Sequence, residues 1–176
     1  MNTASIEELR GTWPAEAIEG LADVLIDCVE GGASVSFMWP MTRAKAVAFW
    51  EGMAAKAARG EAITLFVRDG EGICGTVTLA AGLPENQPHR ADISKLLVRR
   101  RARGRGFGEA LMRAIEVVAV REGKTLLVLD TASAAAEHIY RKLGWTECGV
   151  IPGYALNPDG SPCDTVVFWK RVEAAG

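Results

Sequence analysis

The chain is 176 residues long, 49% hydrophobic and 24% charged, with a formal net charge of −2. That length suits one domain with a sizeable core. No apolar run approaches the roughly 20 residues of a membrane span, and the acidic balance argues against a generally basic nucleic-acid binder. Cys28, Cys74, Cys148 and Cys163 are scattered with no CxxC pair, and the chain has only two histidines. The expectation is free thiols in a reducing compartment and no metal site. Residues 1–11 are polar, mixed in charge and lack the apolar core of a secretory signal, so a cytoplasmic protein is expected.

In chain order, residues 4–9 read as a short strand. Pro14 suits a helix start, and Ile18, Leu21, Leu25 and Val29, with Ala22, make a helical stripe. That helix runs to about Cys28, and Gly31-Gly32 stops it. Residues 33–41 (ASVSFMWPM) read as an ordered loop. Thr42 caps a second helix over 43–58, with Val47, Trp50, Ala54 and Ala57 on one face, and Gly60 ends it. Residues 63–68 and 72–80 form a hairpin around Asp69-Gly70, and 81–90, with two prolines, form a loop.

Residues 92–98 are a strand, 99–108 a basic glycine loop, and 107–122 a helix with Phe107, Leu111, Ile115 and Val118 on one stripe, closed by Gly123. The run 125–131 (TLLVLDT) reads as a central strand covered on both faces. Ser133 caps a helix through Leu143, with Gly144 at its end. Residues 145–151 and 165–171 are strands, and 152–164 a long turn-rich loop between them. With no internal repeat or low-complexity linker, residues 1–176 read as a single domain. This order argues an α/β (mixed α+β) fold, a mixed sheet with helices on both faces.

The chemistry gathers on the strand–glycine loop–helix unit. Such a unit aims backbone N–H groups and a positive helix end at one anion. The loop adds Arg99, Arg100, Arg101, Arg103 and Arg105. A Walker loop is absent, and a dinucleotide GxGxxG starting at Gly104 fails at Glu109. What stands is Arg103-x-x-Gly106-x-Gly108, directly after Leu96-Leu97-Val98. Glycines at 104, 106 and 108 let a backbone approach pyrophosphate without a Cβ in the way. A solvated basic turn, or a nucleic-acid patch whose affinity falls steeply with salt, is the alternative.

That motif and the element order resemble the GCN5-related N-acetyltransferases over essentially the whole chain. The stretch 136–145 (AEHIYRKLGW), a tyrosine followed closely by Leu-Gly-aromatic, resembles the family's fourth-helix signature. Residues 29–38, 89–98, 126–131 and 152–160 resemble the tabtoxin-resistance branch, which acetylates a toxin-derived β-lactam amino acid. The resemblance implies a mostly antiparallel sheet of about seven strands with about four helices on its faces. It also implies acetyl-CoA as co-substrate, a small-molecule amine as acceptor, direct transfer in a ternary complex, and a toxin- or antibiotic-resistance role. No nucleic-acid or membrane partner is expected, and the assembly would be a monomer or homodimer.

Site residues follow from the same resemblance. Backbone groups of Arg103, Gly104, Arg105, Gly106, Phe107 and Gly108 would hold the pyrophosphate. Leu96, Leu97 and Val98 would pair with the pantetheine arm, and Thr131 and Tyr140 would also line the CoA site. A backbone N–H near Val98 would face the thioester oxygen. A lysine-like amine has a pKa near 10.4, so its neutral form costs roughly 4.6 kcal/mol at pH 7. A base is therefore useful, and Asp92, whose spacing before Arg103 matches the family's glutamate base, and Asp130 are the candidates. Tyr140, with an ordinary pKa near 10, would protonate a leaving thiolate whose conjugate acid is near 8.5. His89 and His138 read as solvated, and Phe37, Trp39 and Trp50 as core or pocket wall. Tyr154, Asp159 and Asp164 would close the pocket's other side. A CoA-binding sensor without turnover and a protein lysine acetyltransferase remain the competing readings.

Overall fold

The computed structural model describes residues 5–173, so Ala4 of the expected first strand lies outside them. The elements follow the expected order: β1 (Ser5–Leu9), α1 (Ala15–Glu30), α2 (Arg43–Ala58), β2 (Ala62–Asp69), β3 (Gly72–Ala80), β4 (Arg90–Val98), α3 (Phe107–Arg121), β5 (Leu126–Thr131), α4 (Ala134–Lys142), β6 (Thr146–Leu156) and β7 (Pro162–Arg171). A single 3-10 turn, Arg100–Ala102, precedes α3. The strands make one mixed sheet, β1-β2-β3-β4-β5-β7-β6, antiparallel except between β4 and β5. Helices α1 and α2 cover one face, and α3 covers β2 to β4 on the other, with α4 beside it. The mixed α/β architecture is as the element order argued.

Two cores result, one on each face of the sheet. On the α1–α2 side, Leu21, Val24, Leu25 and Val29 are fully buried, and Trp50 is sandwiched between Trp13 and Phe49 at centroid distances of 6.3 and 4.9 Å. The buried face of α2 is Ala46, Trp50, Met53 and Ala57; Val47 and Ala54, expected there, sit at its edge. Successive helical residues turn by about 100°, so in this alanine-rich helix the pattern fixes the face only to within one residue. Thr42 caps α2 by accepting from the Lys45 backbone N–H, and Ser133 caps α4 by accepting from Ala136.

Two expectations fail for identifiable reasons. The long loop expected over 152–164 is mostly strand: β6 runs through Leu156, β7 begins at Pro162, and only a short turn joins them. Pro152 and Gly153 fall in a bulge, where the register jumps between Ile151 and Ala155. An edge strand tolerates both residues there, because no neighbour needs the missing N–H. Nor is β5 covered on both faces: Leu127 and Leu129 are buried, but Val128 lines a cavity, because the helices of that face contact the sheet only as far as β4.

The feature that positions the site is an irregularity in β4. Thr78 pairs with Ser94 and Thr76 with Leu97, so two residues of β4 stand opposite one of β3. At Lys95 the backbone turns left-handed, with φ of +54°. An extra residue reverses the inward–outward alternation beyond it. Ile93 accordingly packs into the α3-side core, whereas Leu97, four residues on, packs into the α1–α2 core.

Candidate active site

β4 and β5 pair only at Arg90–Leu126, Ala91–Leu127 and Asp92–Val128. Beyond Asp92 they diverge, and the edge of β4 that faces β5 has no strand partner. A cleft of about 750 Å³ opens in the gap. Its backbone groups are left for a ligand to satisfy, as in strand addition to an open edge.

One end of the cleft is the glycine loop. Gly104 and Gly106 have φ of +74° and +80°, which glycine adopts without a Cβ clash. Gly108 also has a packing reason: a Cβ there would lie 2.9 Å from Cδ1 of Ile139, so the glycine lets α3 pack closely on α4. The N-cap of α3 is Gly106, with no side-chain cap. The first N–H groups of the helix therefore lack intrahelical partners. Glu109, in that first turn, is held by Lys142 and Arg113 at 2.6 and 2.8 Å. Its charge is thus already matched and opposes an incoming anion little.

The arginines are less free than the sequence suggested. Asp69, whose side chain is only 4% exposed, accepts from Arg101 at 2.8 and 3.0 Å and from Arg105 at 2.8 Å. The Arg101 guanidinium, outweighing burial, holds that carboxyl well below the usual range. Arg100 is bound to Asp27 through its backbone N–H at 2.7 Å and its side chain at 3.0 Å. Among the described residues Arg103 has no carboxylate partner, and it donates from Nε to the Val98 carbonyl at 3.2 Å. Three of the five arginines thus shape the loop instead of presenting charge, and the Arg105 side chain turns onto Asp69 and the Phe107 ring.

The expected CoA-side residues Leu96, Leu97, Val98, Arg103, Gly104 and Gly106 all line the cleft, as do Phe107, Gly108, Thr131 and Tyr140; Arg105 does not. Tyr140 is 4% exposed and lies against Trp145 and Phe168. Burial, with a smaller push from the Asp130 carboxylate, raises its phenol well above the ordinary value. Asp130 lines the same cleft and accepts a 2.8 Å hydrogen bond from the Thr165 hydroxyl. Asp92 is separated from them: it pairs with Arg90 and lines a smaller cavity of about 300 Å³ on the other side of the splay, which Asp130 also borders. His89 and His138 are exposed. Trp50 is core and Trp39 half-exposed, with its indole N–H on the Val29 carbonyl at 2.8 Å. Tyr154 and Asp164 line the cleft, whereas Asp159 holds the β6–β7 turn by accepting from Ser161. Burial pushes the Cys28 thiol up, and it donates to the Val98 carbonyl.

Sequence reasoning missed Asp69, Thr165 and the pair Ser36–Lys95. Their turn, strands and loop are legible, but nothing in those stretches singles out these side chains, and only tertiary structure brings them to the site.

A parallel pair splayed beside a glycine loop at an uncapped helix start sets an open strand edge next to a helix end suited to an anion. The Acetyltransferase (GNAT) family model matches residues 20–145, and the chain belongs to that family of acetyltransferases. In fold it is similar to an N-acetyltransferase from Staphylococcus aureus Mu50 (18% identity, TM-score 0.79, covering 96% of this chain and 98% of that one). It is also similar to a phosphinothricin acetyltransferase from Sinorhizobium meliloti in complex with AcCoA (16%, 0.78, 97% and 89%). A third similar structure is a ribosomal-protein-alanine N-acetyltransferase from Brucella melitensis (20%, 0.77, 96% and 99%). Among the described residues no helix is long and apolar enough to cross a membrane.

Proposed function

We propose that this chain is a single-domain cytoplasmic enzyme that moves an acetyl group from acetyl-CoA to the amine of a small molecule, by direct transfer without a covalent enzyme intermediate. The observation that carries the reading is the β4–β5 splay, which gathers the uncapped start of α3, the open edge of β4, Tyr140 and Asp130 around one cleft. The group fits these residues. The N–H groups at 106–109 suit a pyrophosphate, and the open edge of β4 suits an amide-bearing arm. Arg103 must leave the Val98 carbonyl for that arm to pair there. Bound acetyl-CoA supplies an activated acyl carbon and a leaving sulfur.

The chain's own residues then handle protons and position. Asp130, oriented by Thr165, takes the acceptor's ammonium and its proton, either directly or through water to Asp92. Tyr140 keeps its proton at neutral pH and offers it as a hydrogen bond to the departing sulfur. With its pKa raised, complete transfer to a thiolate of ordinary basicity is more uphill than the sequence implied. Cys28, held protonated by burial, is a poor nucleophile, which supports direct transfer.

A small acceptor is supported by the walls at the far end. The α1–α2 loop and the β6–β7 hairpin are tied by Ser34 Oγ to the Leu156 carbonyl at 2.9 Å and by the Trp39 N–H to the Pro158 carbonyl at 3.0 Å. Likeness to a phosphinothricin acetyltransferase supports the same, together with a resistance role and the tabtoxin-type amino acid as a candidate acceptor. Likeness to a protein-modifying relative means that the pocket, not the fold, decides.

The test is thiol release from acetyl-CoA against the tabtoxin-type amino acid, free amino acids, polyamines, aminoglycosides and a basic peptide. Release with one small amine is expected, and no binding of acetyl-CoA would overturn the reading. Tyr140→Phe keeps the ring contacts and is expected to lower kcat by about 10²-fold or more, with acetyl-CoA affinity within about twofold. An unchanged kcat removes Tyr140 from the mechanism.

A further inference from the structure

Among the described residues, two non-glycine residues have left-handed backbones: Ser36, φ +81°, and Lys95, φ +54°. They come from distant parts of the chain, the α1–α2 loop and the β4 irregularity, yet they meet, with Lys95 Nζ donating to Ser36 Oγ at 3.2 Å. Both line the large cleft. Left-handed backbones in non-glycine residues persist only where the surroundings impose them, and they cluster at functional sites. Here two of them converge on one ammonium.

That ammonium lacks an anion. Lys95 makes no salt bridge among the described residues; its other close contact is the Phe49 ring, 5.4 Å from Nζ to centroid. Burial, with a push from Lys56, lowers its pKa against the opposing pull of Asp130, a counter-charge that acts across the cleft without an ion-pair contact. Across the cleft, the Asp130 carboxylate accepts from the Thr165 hydroxyl and, among the described residues, pairs with no cation. The cleft therefore presents a cation on β4 and an anion on β5, each incompletely satisfied.

We propose that Lys95 and Ser36 form an oxyanion-binding subsite that selects acceptors carrying both an amine and a negatively charged carboxylate- or phosphonate-type group, the amine going to Asp130. This rests on the proposed acetyl transfer for its orientation but not for its binding chemistry. A dipolar acceptor would complete both half-satisfied groups at once, whereas a polyamine or basic peptide would set its charge against Lys95.

The test compares amino acids, α and ω, with their carboxamides, in wild type and in Lys95→Asn, Lys95→Arg and Ser36→Gly. Asparagine and glycine both tolerate the left-handed backbone. The readout is the ratio of kcat/KM for the acid to that for its carboxamide. Wild type is expected to favour the acid, and Lys95→Asn to lower the ratio roughly ten- to hundredfold, the worth of one charged hydrogen bond. Lys95→Arg should restore much of it. An unchanged ratio, or equal loss of kcat on both acceptors as for a residue acting on the thioester, would overturn the subsite while leaving acetyl transfer standing. Calorimetry with CoA present, using N-acetyl amino acids and N-acetyl carboxamides as probes, reads the subsite without turnover. Acid-selective binding lost in Lys95→Asn upholds it even if no acceptor is acetylated, and failure of every probe to bind overturns it. Aminoalkylphosphonates in the same assay separate a tetrahedral oxyanion from a carboxylate. Acetylation of Lys95 itself by acetyl-CoA alone, seen by intact mass, would overturn the proposal, since it would make the ammonium an acceptor instead of a binder.

Discussion

Asp69→Asn should loosen the glycine loop without touching the cleft. Asp69 ends β2, and its carboxylate accepts from Arg101, from Arg105 and, at 3.0 Å, from the Glu71 backbone N–H. Removing one partner of a buried ion pair costs about 3 to 5 kcal/mol. Here the carboxylate is shallow and covered by its own partners, which are 25% and 46% exposed, so water can re-solvate them. The cost should be nearer 2 kcal/mol, or about 4–8 °C in Tm for a chain of this size. Because the freed arginines flank Arg103 and Gly106, acetyl-CoA affinity should fall as well, by roughly tenfold. The folded pKa is depressed, so this stabilisation is present above the unfolded value near 3.9 and is lost as pH falls through the folded one. Denaturant unfolding of wild type and variant should therefore show a gap at neutral pH that narrows in acid. A gap independent of pH would refute the ion-pair reasoning, and unchanged acetyl-CoA affinity would refute the link to the loop.

Other outcomes follow from single contacts. Gly106→Ala meets open space, so its cost is that of the left-handed backbone, about 1 to 2 kcal/mol; acetyl-CoA titration should show weaker binding, and unchanged stability would mean that the loop readily adopts another conformation. Trp50→Ala should cost about 3 to 5 kcal/mol in denaturant unfolding, whereas Trp50→Phe should cost under about 2. Among the described residues the buried indole N–H of Trp50 finds no partner, so the smaller ring sheds an unsatisfied donor.

The legible parts of the chain were those where local chemistry decides the structure. Pro14, Thr42 and Ser133 marked helix starts, the apolar stripes marked α1 and α3, and Arg103-x-x-Gly106-x-Gly108 marked the glycine loop that opens α3. What stayed hidden depends on who stands next to whom. Five arginines looked like charge for a phosphate, but Asp69 and Asp27, far away in sequence, take three of them. Pro152 and Gly153 looked like loop because their tolerance depends on β6 being an edge. Asp92 and Asp130 were both candidates, and only the splay tells them apart: Asp130 borders both cavities, Asp92 only the smaller one. Lys95 lies inside the strand expected over 92–98 with nothing to single it out.

The β4 irregularity both shapes the cleft edge and holds Lys95 in a left-handed backbone. Lys95 holds a backbone conformation that costs a non-glycine residue about 1 to 2 kcal/mol, while glycine's extra unfolded-state freedom costs about 0.5 to 1. Lys95→Gly should therefore leave the protein as stable as wild type or more stable by up to about 1.5 kcal/mol, with the register Thr78–Ser94 and Thr76–Leu97 kept. If the residue serves acceptor recognition, the same variant should lose discrimination for charged acceptors, a trade of function against stability. Deleting residue 95 is a different perturbation. It would restore regular alternation and drive Leu97, now buried against α1 and α2, to the opposite face. That variant should be the less stable of the two by several kcal/mol, since a leucine leaves its core and the cleft edge loses its shape. Should Lys95→Gly instead prove as damaging as the deletion, the lysine stem would be packing the fold, and the strain at that position would have no functional explanation.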